Sequence, residues 1–296
     1  MKDYKPDFVS LPNGERLAYR RGGTGGETVL LIHGNMSSSV HWQTTMERLE
    51  SRWTVFAPDM RGFGDSTYQA PFDSLKDLAL DMGLFCDALG ISRCRVVGWS
   101  TGGGVALELA AERPALVEKA ALLDSVPPTG YPMFKKDAAG KPTGVSLKTK
   151  EDVAADPVQV IPALTALAKG DRAVMGAIWK ALIYNLRLPD SGDYEEYISA
   201  TLKQRNLVDL DYALLTFNMT GEPSLAAPGS GRLAAVQCPV TVFHGEKDLV
   251  VPLAWGQETA RLLGGRARLV TFPGCGHSPI TDAPELFFEA LEEALS

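Results

Sequence analysis

Cysteine is scarce in this 296-residue chain, and its four copies are scattered: Cys86, Cys94, Cys238 and Cys275 form no CxxC pair. That spacing argues against a disulfide framework or a thiolate metal site and suits reduced thiols in a cytoplasm. Long apolar runs are missing as well. None approaches the roughly 20 residues of a membrane span, and the opening stretch MKDYKPDFVSLPNGERLAYR lacks the apolar core of a secretory signal. A cytoplasmic protein with no stable membrane insertion is the expectation. Excess positive charge is also absent: 29 Lys and Arg stand against 36 Asp and Glu, a formal net charge of -7. This removes the electrostatic footprint of a nucleic-acid binder. Histidine is equally rare. Any imidazole chemistry must come from His33, His41, His244 or His277.

What is present is an ordinary core-forming composition, 45% hydrophobic and 22% charged. TVLLIHG (28–34), TVFAPDM (54–60), CRVVGWS (94–100) and KAALLDS (119–125) are short apolar runs rich in β-branched or small residues. Helical periods separate them. In LKDLALDMGLFCDALG (75–90), Leu75, Leu78, Met82, Phe85 and Leu89 fall on one face. Continuous apolar strands alternating with helices predict a mostly parallel sheet covered on both sides. Before it, two strand-like runs flank Pro12-Asn13-Gly14, a hairpin signal. The rhythm stops after Asp124. From Val126 to Arg232 no apolar strand is evident, only turns and helical stretches, and a structureless loop of that length is not credible. It returns with PVTVFHG (239–245), a helix near 252–264, RLVTFPG (268–274) and a last helix from Ala283. The expected organisation is a core of residues 1–125 and 233–296 carrying a helical insertion, 126–232.

One pentapeptide concentrates the chemistry. Gly98-Trp99-Ser100-Thr101-Gly102 fits G-x-S-x-G between a predicted strand and a predicted helix, a sharp turn that lifts a serine above the sheet. A serine nucleophile needs a base. His277, in the glycine-rich loop GCGHSP after the last strand, lies where an open α/β sheet builds its site. The base needs an orienting carboxylate. Asp248, just after the strand 239–245, is favoured over its neighbour-strand rival Asp124. Oxyanion donors are expected from main-chain amides: Thr101, next after the serine, and Asn35 or Met36 after the strand LLIHG.

These pieces together resemble the α/β-hydrolase-fold serine hydrolases: HGN (33–35), PDMRGFGDS (58–66), GWSTGG (98–103), GEKDLVVP (245–252) and GCGHSP (274–279), in the order Ser, Asp, His. A weaker similarity, in HGNMSSSVHW and GWSTGG, is to bacterial intracellular polyhydroxybutyrate depolymerases. The resemblance implies an eight-stranded, mostly parallel sheet flanked by helices, with a helical lid after strand 6. It implies cleavage of a small-molecule carboxylic ester through an acyl-enzyme, with Ser100, His277 and Asp248 as triad and no metal or cofactor. Lactones, hydroxybutyrate oligomers and cofactor-free perhydrolysis fit the same triad, and some members of this fold act as small-molecule receptors. Self-association is left open. Met36, Trp99 and Cys275 flank the predicted groups and are candidates to line an acyl pocket for small or medium neutral chains. In the lid, Val174, Ile178, Ala181 and Leu182 form an apolar stripe with Met175 and Trp179 beside it.

Overall fold

A computed structural model describes residues 1–296. Strands β1 (Asp7–Ser10) and β2 (Arg16–Gly22) form the hairpin around Asn13-Gly14. They are followed by β3 (Thr28–Ile32), β4 (Thr54–Pro58), β5 (Cys94–Trp99) and β6 (Val117–Leu123). A small separate hairpin, β7 (Phe134–Lys136) and β8 (Pro142–Ser146), precedes β9 (Val240–Gly245) and β10 (Ala267–Phe272). The main sheet has eight strands in the order β1-β2-β4-β3-β5-β6-β9-β10. Only β1/β2 and β2/β4 are antiparallel; every other pair is parallel.

The continuous apolar strands are explained by two separate cores. Alternate side chains of a strand point to opposite faces. Leu30, Ile32, Val96, Leu122 and Val242 enter one core, while Val29, Leu31, Val97, Ala121, Leu123 and Phe243 enter the other. Helices α2 (Leu75–Ala88) and α3 (Thr101–Glu112) cover the first face through Leu78, Met82, Phe85, Val105 and Leu109. Helix α1 (Gln43–Leu49) and the C-terminal α11 (Pro284–Leu295) cover the second through Met46, Leu49, Phe287 and Leu291. Each such side chain contributes about 1.5–3 kcal/mol on burial. Helix α2 begins where Ser74 and Asp77 cap each other reciprocally. Helix α9 (Leu253–Leu263) links β9 to β10, and the single turn α10 (Pro279–Asp282) precedes α11.

Strand β3 pairs with both β4 and β5. The connections leaving β3 and β4 therefore diverge, and the carboxyl ends of β3 and β5 border a crevice of the kind in which open α/β sheets place ligands.

Over this crevice lies the segment between β6 and β9. It contains β7, β8 and five helices: α4 (Lys150–Ala154), α5 (Val160–Lys169), α6 (Arg172–Leu182), α7 (Ser191–Thr201) and α8 (Leu207–Thr216). Two of these elements differ from the sequence expectation. PTGVS makes a strand although it is mostly exposed and carries no apolar alternation. SGDYEEYISAT makes α7 although it is largely polar, because Tyr197, Ile198 and Ala200 bury one side. The segment has a small cluster of its own around Val153, Val160 and Leu207, but most of its apolar surface joins the two cores. Leu210, Ala213 and Leu214 of α8 enter the first, and Met175, Trp179 and Ile198 enter the second. The apolar face of α6 is also rotated from the expected one. Met175 and Trp179 are buried and Val174 is exposed, because the Trp179 ring stacks on His41 at 4.9 Å, with Tyr197 stacked on the same imidazole at 4.6 Å.

Candidate active site

Ser100 sits at the junction of β5 and α3 with φ 55° and ψ -120°. A non-glycine residue there stores about 1–3 kcal/mol of backbone strain. The turn is held by Ser100 N–H donating to Leu123 O at 2.8 Å and Gly103 N–H donating to Ser100 O at 3.0 Å. Its glycines are required by space. A Cβ on Gly98 would lie 2.3 Å from Gly102 O, and one on Gly102 would lie 2.2 Å from Ile32 O. From the neighbouring strand end, Gly34 reaches under the serine: a Cβ on it would lie 2.9 Å from Ser100 Cβ.

His277 and Asp248 arrive from the loops after β10 and β9. His277 Nδ1 and Asp248 Oδ2 are 2.7 Å apart, both side chains being buried. The other carboxylate oxygen accepts from Val250 N–H at 2.7 Å and Val251 N–H at 3.0 Å. Burial alone would raise the Asp248 carboxyl, but the His277 charge, the His277 hydrogen bond and the two amides outweigh it and hold it below the usual range. Asp124 ends β6 beside this pair, fully buried at φ 44°. Its Oδ1 accepts from Gly245 N–H at 2.8 Å and its Oδ2 has no partner. Burial first, and then the Asp248 charge, push this carboxyl well above its ordinary value, against the Gly245 amide. Asp124, Asp248 and His277 bring one ligand-type atom each within 4.8 Å of one another. Within this trio the only hydrogen bond joins His277 to Asp248; Asp124 bonds to the Gly245 amide alone.

Trp99, next to the serine, is 3% exposed and donates from its indole Nε1 to His277 O at 2.8 Å. The other three histidines are buried and none of them borders the cavity. His33 accepts from Met60 N–H at Nε2, and its Nδ1 lies 2.8 Å from Gly34 O. His244 Nε2 lies 2.8 Å from Val251 O. Burial lowers the pKa of His33, His41 and His244 alike.

The loop after β3 supplies the oxyanion candidates. The main-chain N–H groups of Asn35 and Thr101 have no hydrogen-bond acceptor in the protein. The Met36 N–H, by contrast, is shared between Asn35 Oδ1 at 2.8 Å and Gln204 Oε1 at 3.0 Å. Met36 itself has φ 51°. Residues of the overlying segment fix this loop. Gln204 Nε2 donates to Asn35 Oδ1 at 2.9 Å, Thr201 Oγ1 to Met36 O at 2.6 Å, and Asn35 Nδ2 to Asp211 Oδ1 at 2.9 Å.

Ser100, Thr101, His277, Asn35, Met36 and Trp99 all border one cavity of about 510 Å³ roofed by α5, α6 and α8, and 16 of its 24 lining residues are hydrophobic. That size and character suit a small organic ligand. Cys275 is not in the wall, contrary to expectation; it is buried, and burial raises its thiol to about 11. Gln204 and Asp211 were not anticipated. The signal for Asp211 was present: Leu207, Asp211 and Leu214 share one face of α8, and a carboxylate interrupts that apolar stripe.

A family model described as "Alpha/beta hydrolase family" matches residues 29–290. The chain is 29% identical over 279 residues to a pimeloyl-[acyl-carrier protein] methyl ester esterase of Nitrosomonas europaea, covering 90% of this chain and 96% of that protein. It is 27% identical over 285 residues to a non-heme haloperoxidase of Rhodococcus erythropolis, with 93% of each covered. Among solved structures, an esterase from Exiguobacterium antarcticum superposes with a TM-score of 0.76 over 98% of this chain and 99% of its own, at 19% identity.

Proposed function

Since the chain belongs to the alpha/beta hydrolase family, we propose that it hydrolyses carboxylic esters with Ser100 as nucleophile, His277 as base and Asp248 as orienting acid. The observation that carries this reading is the convergence on one cavity of a serine on a strained turn and an imidazole whose Nδ1 is fixed by a buried carboxylate. With Nδ1 held by Asp248, Nε2 is the nitrogen free to act. No hydrogen bond joins it to Ser100 Oγ; catalytic bonds of this kind are often loose until substrate binds.

In the proposed cycle, His277 takes the Ser100 proton as Oγ attacks the ester carbonyl. The oxyanion is met by the unengaged amides of Asn35 and Thr101, the latter at the N-terminus of α3, where the helix dipole favours negative charge. Asn35 is favoured over Met36 as the donor because the Met36 N–H is already shared by two side-chain carbonyls. Protonated His277 then gives its proton to the leaving alcohol, and water, activated by the same imidazole, releases the acid. Removing one such donor costs about 100- to 1000-fold in rate in comparable enzymes.

No Lys or Arg lines the cavity. A carboxylate-bearing acyl group would be buried there without a partner, at a cost of several kcal/mol. Neutral acyl groups of small to medium size are therefore the proposed substrates, and lactones of that size are compatible with the same wall. Incubation with p-nitrophenyl acetate and butyrate tests the reading. Sustained turnover of many equivalents is expected; a single burst, or no release, would instead indicate a small-molecule receptor of the same fold.

A further inference from the structure

The cavity contains one carboxyl group of its own. Asp211 is the sole Asp or Glu in the wall, which holds no Lys or Arg; the other titratable side chains there are Tyr131 and His277. It stands in the middle of the α8 face formed by Leu207, Asp211 and Leu214, all three lining the cavity. Burying a carboxyl among apolar side chains is unfavourable unless something bonds to it. Only one bond is made: Oδ1 accepts from Asn35 Nδ2 at 2.9 Å, and Oδ2 has no hydrogen bond. Outside the candidate catalytic groups, two other polar wall residues have a side-chain partner, whereas Thr101 Oγ1 and Gln159 Nε2 have none. The Tyr131 hydroxyl donates to Val250 O at 3.1 Å, and Gln159 Oε1 takes Lys136 Nζ at 3.5 Å. Asp211 Oδ2 is thus the one carboxylate oxygen of a mostly apolar wall, and it is open to a donor.

We propose that Asp211 is a specificity-determining residue that bonds a hydroxyl group carried on the acyl part of the substrate. The acyl side follows from position. Asp211 is tied to the side chain of Asn35, whose amide is the proposed oxyanion donor, whereas the leaving alcohol must lie toward His277. A hydroxyl fits better than an ammonium. Burial pushes Asp211 up to about 7, with the Asp156 charge adding and the Asn35 bond opposing, so both its forms are populated near neutrality. A hydroxyl can donate to the carboxylate and accept from the acid, while an ammonium can pair only with the carboxylate. The substrate class is therefore hydroxyacyl esters, and this inference rests on the ester-hydrolase reading above.

The test compares ethyl butyrate, both enantiomers of ethyl 3-hydroxybutyrate, ethyl 4-aminobutyrate and 2-hydroxyethyl butyrate by pH-stat titration. Wild type, Asp211→Leu and Asp211→Asn are each assayed. In wild type, kcat/KM for one hydroxybutyrate enantiomer should exceed that for ethyl butyrate by about ten-fold or more, since a site built around a hydroxyl discriminates strongly against its absence. In Asp211→Leu that ratio should fall to about one or below, whatever the absolute rate of the variant. Asp211→Asn, which keeps an acceptor for Asn35, should give an intermediate ratio. General damage to the fold or the oxyanion loop lowers both rates and leaves the ratio unchanged. A wild-type ratio near one, a ratio unaltered in Asp211→Leu, or a preference for the amino or hydroxyethyl ester would overturn the assignment. No turnover of any ester would overturn the hydrolase reading itself, and this inference with it.

Discussion

The indole N–H of Trp99 donates to the main-chain carbonyl of His277 at 2.8 Å, joining the residue before the candidate nucleophile to the candidate base 178 residues later. The ring is also wedged among Trp42, Trp179 and His277, with centroids 5.8–6.3 Å apart. Trp99 is therefore a brace between two loops more than a wall of the pocket. Trp99→Phe keeps an aromatic body and deletes the bond. The expected result is a fall in kcat of about ten-fold with KM changed less than three-fold, and a stability loss of about 1 kcal/mol from the hydrogen bond. Steady-state kinetics with urea melts checks both; a rise in KM with kcat intact would show that the ring mainly contacts substrate.

Gly34 offers a sharper separation of activity from folding. A methyl group there would press on Ser100 Cβ at 2.9 Å and Trp99 O at 3.1 Å, with no positive φ to strain. Gly34→Ala should lower kcat/KM by about 100-fold or more, the scale of a lost oxyanion donor, while circular dichroism stays near wild type and the melting temperature falls less than in Gly102→Ala. At Gly102 the added carbon would meet main-chain oxygens at 2.2 and 2.6 Å, so Gly102→Ala should destabilise the whole fold. Equal melting temperatures for the two variants would contradict this division.

Much of this arrangement is readable in the chain. Strands buried on both faces must be apolar at every position, so β3, β4, β5 and β9 announce themselves; Ser100 follows β5 directly and Asp248 lies in the loop after β9, while His277 lies in the loop after β10, a partly exposed edge strand. The roof is less legible for the opposite reason. Strand β8 is exposed, α7 is mostly polar, and the face α6 buries is chosen by His41, 138 residues before Trp179. Gln204 and Asp211 meet the candidate oxyanion loop at Asn35 only through the fold. No local pattern near Asn35 points to them, though the carboxylate within the α8 stripe was an anomaly in plain sight.

His41 makes acid a stress on the roof. It is clamped between Trp179 and Tyr197, and burial, aided by the His33 and Arg20 charges and opposed by the Ser38 amide, lowers its pKa to about 3. The unfolded chain binds this proton near pH 6.5, so the His41 contribution is present above that pH and is lost as pH falls toward 3. His41→Phe keeps the stack and cannot titrate. Between pH 7.5 and 4.5 the stability of wild type relative to His41→Phe should fall by on the order of 2–3 kcal/mol, measured by urea denaturation. A pH-independent difference would contradict the buried neutral imidazole.

Asp211 should behave with the opposite sign. Its carboxyl is raised to about 7, so the folded state holds the proton more tightly than the unfolded chain. Its contribution is full below about pH 4 and is lost as pH rises through 7. Relative to wild type, Asp211→Asn should therefore gain stability between pH 4 and 8, on the order of 3–4 kcal/mol. Thermal melts of the two proteins across that range check this. Parallel curves would show that the carboxyl is not perturbed.

The central claim is that Ser100 carries the acyl group, and mass spectrometry of the protein quenched during turnover of p-nitrophenyl butyrate reads it directly. We expect a butyryl adduct confined to the peptide containing Ser100, a fluorophosphonate adduct on the same residue, and neither in Ser100→Ala, which should also lose ester turnover. An adduct on another residue, or substantial turnover by Ser100→Ala, would contradict the account.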